Sequence, residues 1–157
     1  MAKGTPTTLA LEQAGVAFTL HEYAYDPAAD RVGLQAAEAM GVPAPTVFKT
    51  LMVLVDGKPA CAVIASDRQV AMKQLAATLG AKSAAMMPPA DAERLTGYKV
   101  GGISPFGQRR QVPTVMDEAA MDRAEIFLNG GRRGLQVRLA PAEAVRATGA
   151  RIAAIAV

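Results

Sequence analysis

In the run "TVFKTLMVLV" (residues 46–55) a single cation, Lys49, interrupts an otherwise apolar β-rich segment. The period-two rule for strands places it on the same face as Leu51, Val53 and Val55, a costly position for an ammonium group unless that end of the strand opens to solvent or to a ligand. The alternative is a lysine whose stem packs along the strand start while its head reaches water. A cation projecting from a rigid strand end can clamp a phosphate or carboxylate, or polarise a carbonyl.

The second candidate is "GYKVGGISPFGQRRQVP" (97–113), with four glycines, two prolines and an Arg-Arg pair. A bare turn needs far fewer punctuating residues. Glycines such as Gly101 and Gly102 expose backbone N–H groups, and two such donors aimed at one point bind an anion or a developing oxyanion. Pro105 stiffens the loop, Ser104 adds a hydroxyl, and Arg109 with Arg110 adds positive charge. The plainer reading is a glycine-rich turn between a helix and a strand; the length and basic flank of this one favour a ligand site.

The usual catalytic groupings are missing. His21 is the only histidine and reads as a structural strand residue, without Ser-His-Asp or His-x-x-x-His spacing. Cys61 lies in the apolar run "ACAVIA", where a free thiol behaves as a small buried hydrophobe. Ser104 has no G-x-S-x-G elbow, and no standard nucleotide-binding glycine motif occurs. One cysteine forms no internal disulfide, and no Cys/His cluster offers a metal site, so no metal or organic cofactor is expected.

The elements that must position these groups read as follows. "TPTTLALEQAG" is a short helix. "AFTLHEYAY" is a half-buried strand that turns Phe18, Leu20 and Ala24 to one side and Thr19, His21, Tyr23 and Tyr25 to the other. "DRVGLQAAEAMG" is a helix capped by Asp30 and stopped by Gly41. Two β-rich runs between Thr46 and Ser66 meet at Asp56-Gly57, a strong hairpin signal. "MKQLAATLG" and "ADAERLTG" are helices flanking a short strand in "KSAAMMP". "QVPTVMD" is a strand, "DEAAMD" a helical turn, and residues 123–140 a second hairpin around Asn129-Gly130-Gly131. "PAEAVRATG" is a helix with Pro141 in its first turn, followed by the apolar tail "ARIAAIAV". Two hairpins with helices between them imply a single α+β domain spanning residues 1–157, with a mixed, mostly antiparallel, barrel-like sheet and peripheral helices.

Composition narrows the function classes. At 51% hydrophobic and 20% charged the chain is an ordinary globular protein. With aromatics at 4% and no Trp, modules that hold nucleic acid mainly on aromatic platforms are disfavoured. Residues 1–97 hold 8 Lys/Arg against 9 Asp/Glu, and residues 98–157 hold 9 against 5, so the basic surplus belongs to the second part. Arginine's planar fork suits phosphate. No apolar run approaches a membrane span and no secretory leader is evident, so a cytoplasmic protein without membrane attachment is expected.

In order and spacing, "VFKTLMV", "GYKVGGISPFGQRRQVPTVMD" and "NGGRRGLQVRLAP" resemble the YbaK/EbsC family of aminoacyl-tRNA deacylases, itself similar to the editing insertion domain of bacterial prolyl-tRNA synthetases. The likeness runs from "FTLHEYAYDP" to the last helix. It implies a free-standing trans-editing enzyme that removes a wrongly attached amino acid from tRNA, cysteine from tRNA(Pro) foremost. A synthetase pocket gains only modest discrimination between side chains of similar bulk. The partner implied is the acceptor end of a mischarged tRNA, with prolyl-tRNA synthetase as a further one. By the same resemblance Lys49 places the aminoacyl-adenosine end, and Gly101, Gly102, Ser104 and Pro105 line the pocket near the ester. Phe48, Thr50, Ile103, Tyr23 and the turn carrying Gly130, Gly131 and Arg132 are substrate-binding positions. The implied mechanism is substrate-assisted: the substrate thiol attacks its own ester carbonyl, giving a thiolactone and free tRNA. Alternatives are alanine-type editing by water attack and a non-catalytic module binding tRNA or synthetase. The chain departs from the family pattern at Tyr25, where a second histidine is usual, at Phe106 for leucine, and at Arg109 and Arg110 for lysines.

Overall fold

The computed structural model describes residues 4–28 and 32–157. The cap expected at Asp30 lies outside them. In chain order the helices are α1 (Pro6–Gln13), α2 (Val32–Met40), α3 (Met72–Thr78), α4 (Pro89–Thr96) and α5 (Pro141–Thr148). The strands are β1 (Thr19–Glu22), β2 (Phe48–Val55), β3 (Lys58–Ala65), β4 (Ala84–Met86), β5 (Thr114–Asp117), β6 (Ile126–Asn129), β7 (Leu135–Leu139) and β8 (Arg151–Ala153).

The strands form a five-stranded sheet in the order β4-β2-β3-β5-β8 and a three-stranded sheet in the order β1-β7-β6. The expected α+β class and the antiparallel majority hold, but the expected barrel does not form. Among the described residues only an isolated bridge, Val47 to Phe127, joins strand backbone between the two sheets, so the hydrogen-bonded ladder does not close. In the larger sheet β3–β5 and β5–β8 are parallel. Parallel neighbours need long crossovers, and these carry α3, β4 and α4 in one case and β6, β7 and α5 in the other.

The β2–β3 hairpin forms where expected, in register from Phe48 opposite Ala65 to Val55 opposite Lys58. Its two-residue turn has Asp56 at φ 47° and Gly57 at φ 80°, the doubly left-handed geometry that matches strand twist. One face of β2 and β3 presents Val53, Val55, Ile64 and Ala62 to Leu75 of α3 and to Ile155. The other presents Phe48, Met52, Cys61 and Val63 to Leu11 of α1, Ala144 of α5 and the inner side chains Ile126, Leu128, Val137 and Leu139 of the small sheet. Cys61 is fully buried, and burial pushes its thiol up to about 12. It is packing, as its apolar surroundings indicated.

One strand has the opposite phase to that expected. Leu20 of β1 is 39% exposed, whereas His21 packs edge-on against Phe127, with ring centroids 5.3 Å apart. The cause is α2, whose Ala36 and Ala37 cover Phe127, Val47 and Tyr23 on that side of the small sheet. Amphipathic alternation shows that a strand has two faces; which face is covered depends on the helix that arrives. No helix among the described residues is long and apolar enough to cross a membrane.

Candidate active site

A cavity of about 440 Å³ opens where the start of β2, the β3–α3 loop, the β4–α4 segment and the loop after α4 converge. Lys49 enters it from the second residue of an eight-residue strand, paired opposite Ile64, so its Cα is held by the hairpin ladder. Alternation does set Lys49 with Leu51, Val53 and Val55, and its ammonium leaves that apolar face by donating to the Ser66 carbonyl at 3.4 Å. Ser66 is itself buried and bonds to the Val47 carbonyl at 2.5 Å. A Cβ on Gly33 of α2 would lie 2.9 Å from Ser66 Cβ, so the helix fits against this wall only with glycine there.

The glycine stretch forms the facing wall. The Gly102 N–H donates to the Lys99 carbonyl at 2.8 Å, closing a turn whose third residue is Gly101 at φ 90°, a value that a type II turn requires at that place. This changes the expected pair of donors: the Gly102 N–H is spent in the turn. The Gly101 and Ile103 N–H groups make no hydrogen bond among the described residues, and both residues line the cavity.

The second hairpin braces this loop. The Asn129 side chain donates to the Gly101 carbonyl at 3.1 Å and accepts the Gly131 N–H at 2.7 Å. Arg133 Nε donates to the Val100 carbonyl at 2.9 Å. A Cβ on Gly102 would stand 3.0 Å from the Arg132 backbone, so the two loops touch main chain to main chain. Behind them Tyr98, 4% exposed, bonds to Thr7 Oγ1 at 2.8 Å and donates to the Phe106 carbonyl. Burial raises its pKa above the ordinary value. Tyr98→Phe leaves the buried Thr7 hydroxyl and the Phe106 carbonyl without this partner. We expect a loss of about 1–2 kcal/mol, read by calorimetry as a fall of roughly 2–8 °C in Tm. An unchanged Tm would show that the anchor is unimportant.

Of the residues singled out from the sequence, Lys49, Phe48, Thr50, Gly101 and Ile103 share the cavity wall. Gly102, Ser104, Pro105, Gly130, Gly131, Arg132 and Tyr23 are not among the lining residues. Ser104 is fully buried; its hydroxyl accepts the Phe106 N–H at 3.0 Å and its carbonyl accepts from Gln108. That is a loop-shaping role. Thr5 Oγ1 donates to the Gly130 carbonyl at 2.6 Å, and Arg132 is ion-paired with Glu22 at 3.0 Å. Arg109 and Arg110 are exposed and lie off the cavity wall.

The sequence reading missed Asn129, Gln136, Arg68, Met86 and Met87, all of which line the cavity. Gln136 sits in "GLQVRL", where it alternates with apolar neighbours as a solvent-facing residue would. Only the third dimension reveals that it is 3% exposed. The lining carries no histidine or cysteine, and among the described residues no group of three His, Cys, Asp or Glu is placed to hold a metal ion.

The fold recurs in solved structures. A chain described as a candidate trans-editing enzyme for prolyl-tRNA synthetase superposes with a TM-score of 0.84 at 24% identity, covering 96% of this chain and 94% of that one. The hypothetical protein APE2540 gives the same TM-score at 26% identity, covering 97% and 99%. These likenesses define a shared single-domain α+β fold. Residues 26–147 match the family model of the aminoacyl-tRNA editing domain, and the chain belongs to that family. The candidate Cys-tRNA(Pro)/Cys-tRNA(Cys) deacylase EbsC of Enterococcus faecalis is 35% identical over 92% of this chain and 88% of its own length. The multifunctional Ser/Thr-tRNA deacylase ProXp-y of Escherichia coli K12 is 34% identical over 54% of this chain and 52% of its own.

Proposed function

We propose that residues 1–157 act in trans as one editing domain, a cytoplasmic deacylase that cleaves the ester of cysteine wrongly attached to tRNA(Pro). The observation that carries this reading is the pairing, across a single cavity, of the Lys49 ammonium with the glycine turn at Gly101. The likeness to EbsC over almost the whole length of both chains supports it. The substrate is the acceptor end of the mischarged tRNA, and prolyl-tRNA synthetase is the proposed partner that supplies choice of tRNA. Lys49 holds the terminal nucleotide, while Phe48, Thr50 and Ile103 shape the space for the acyl group. Gly101 and Ile103 offer N–H donors to the tetrahedral oxyanion. Gly102, Ser104, Pro105 and Tyr98 fix that wall, braced by Gly130, Gly131 and Arg132 from the neighbouring turn.

The test is release of amino acid from Cys-tRNA(Pro) and Ala-tRNA(Pro) by the pure protein. Cysteine release well above the no-enzyme rate is expected, with alanine left in place. Preferential alanine release would move the reading to editing by water. Tight tRNA binding with no release of either would make the domain a binding module.

A further inference from the structure

Among the described residues, four buried side-chain polar atoms have no hydrogen-bond partner: Tyr23 Oη, Gln35 Oε1, Thr50 Oγ1 and Gln136 Oε1. Buried polar groups in folded proteins are nearly always paired, so orphans call for an explanation. Two of these four, Thr50 Oγ1 and Gln136 Oε1, belong to residues lining the cavity that holds Lys49. Gln136 is 3% exposed and occupies the central strand of the small sheet, opposite Asn129 on one side and His21 on the other. Its backbone is therefore fixed by two ladders. Its side chain also lies beside the Tyr23 hydroxyl, a protein donor with which any ligand must share or compete for Gln136 Oε1.

A carboxamide oxygen only accepts, so whatever completes Gln136 must donate. A substrate thiol is a weak donor and a poor match for a desolvated carboxamide oxygen. An ammonium group is strong, charge-assisted and carries three N–H bonds, enough to meet Gln136 Oε1 and Thr50 Oγ1 together. Every aminoacyl ester carries such a group at its α-carbon, whereas an N-acylated or peptidyl ester does not.

Resting on the deacylase reading above, we infer that Gln136, with Thr50, is the receptor for the free α-ammonium of the ester-linked amino acid, so that this site acts on aminoacyl esters and rejects N-acylated ones. Being neutral, the pair attracts the ammonium without drawing in the bulk cations that a buried carboxylate would.

The experiment compares Cys-tRNA(Pro) with N-acetyl-Cys-tRNA(Pro), which keeps the thiol and the ester and loses only the ammonium. Wild type, Gln136→Leu and Thr50→Val are assayed under single-turnover conditions, with thermal melts to confirm folding. N-acetylation is expected to lower the wild-type rate roughly 10- to 100-fold, because it leaves buried acceptors unpaired. Gln136→Leu is expected to lose a similar factor on the free amine and almost nothing on the acetylated ester. Equal wild-type rates on the two esters, or an equal loss on both in Gln136→Leu, would overturn the inference. Calorimetric binding of a non-hydrolysable 3′-cysteinylamido-adenosine, with and without N-acetylation, applies the same comparison without turnover. It therefore separates failure of this inference from failure of the deacylase reading. If Gln136→Leu does not fold, Thr50→Val carries the comparison with the same expected pattern.

Discussion

Replacing Lys49 with methionine is expected to lower kcat/KM for cysteine release from Cys-tRNA(Pro) by about 100- to 1000-fold, the usual cost of removing one preorganised charged or polar group from a transition-state site. Methionine keeps most of the apolar stem and removes the ammonium. The protein should remain folded, because Lys49 is partly exposed and methionine fills the space of its stem. The reason for the large kinetic effect is positional. Lys49 departs from a strand paired along its whole length, so its Cα is held in place and no backbone needs to be ordered when substrate arrives. Lys49→Arg should rescue only in part, because a planar fork does not reproduce a compact point charge. Single-turnover deacylation and melts on the same samples check both statements. Activity within twofold of wild type in Lys49→Met would remove the lysine from the site and move the reading towards a binding module.

How much of this was visible in the sequence differs from element to element. The Asp56-Gly57 hairpin was legible because a two-residue turn of that type admits few alternatives, and with it came Lys49, whose position follows from counting along β2. The glycine stretch was legible as a site wall but not in its wiring. Which N–H is free depends on the closing bond from Gly102 to Lys99, and sequence alone does not locate that bond. Ser104 was expected to add its hydroxyl to the pocket near the ester; that hydroxyl instead accepts the Phe106 N–H inside its own loop. Gln136 and Asn129 went unnoticed for the converse reason. Gln136 alternates with apolar neighbours and so reads as solvent-facing, and Asn129 reads as a turn residue; the glycine loop that Asn129 bonds at the Gly101 carbonyl is remote in sequence. The barrel expected from two hairpins failed at a single junction, since sheet closure depends on strands from separate hairpins meeting edge to edge. The family likeness supplied what no local rule contains, namely membership of the aminoacyl-tRNA editing family.

On the reading proposed above, the chemistry of the cavity turns on the substrate's own sulfur. Its lining offers no histidine or cysteine, and the one serine hydroxyl there is engaged with the Val47 carbonyl. In a thiol-driven step the cysteine sulfur forms a bond to its ester carbonyl carbon and the bond from that carbon to the tRNA 3′-oxygen breaks. The thiol proton ends on the leaving 3′-hydroxyl, and water later opens the thiolactone to free cysteine. Sulfur and carbonyl are already joined through the α- and β-carbons of the cysteine, so the step is intramolecular and closes a strained four-membered ring; the protein's part is to hold the reactive rotamer and stabilise the oxyanion. Replacing the thiol by a methyl group, as in 2-aminobutyryl-tRNA(Pro), should therefore lower the rate by at least about 1000-fold while leaving binding nearly unchanged, because the two side chains are close in bulk. Seryl-tRNA(Pro) discriminates further. Its hydroxyl is a far weaker nucleophile at neutral pH, so it should also be spared if sulfur attacks. Comparable rates on the seryl and cysteinyl esters would instead mean that water is the nucleophile, with Asp67 at the cavity wall the first carboxylate to test as its base. That result would align the site with the Ser/Thr-directed name of its Escherichia coli relative rather than with the cysteine-directed name of its Enterococcus faecalis one.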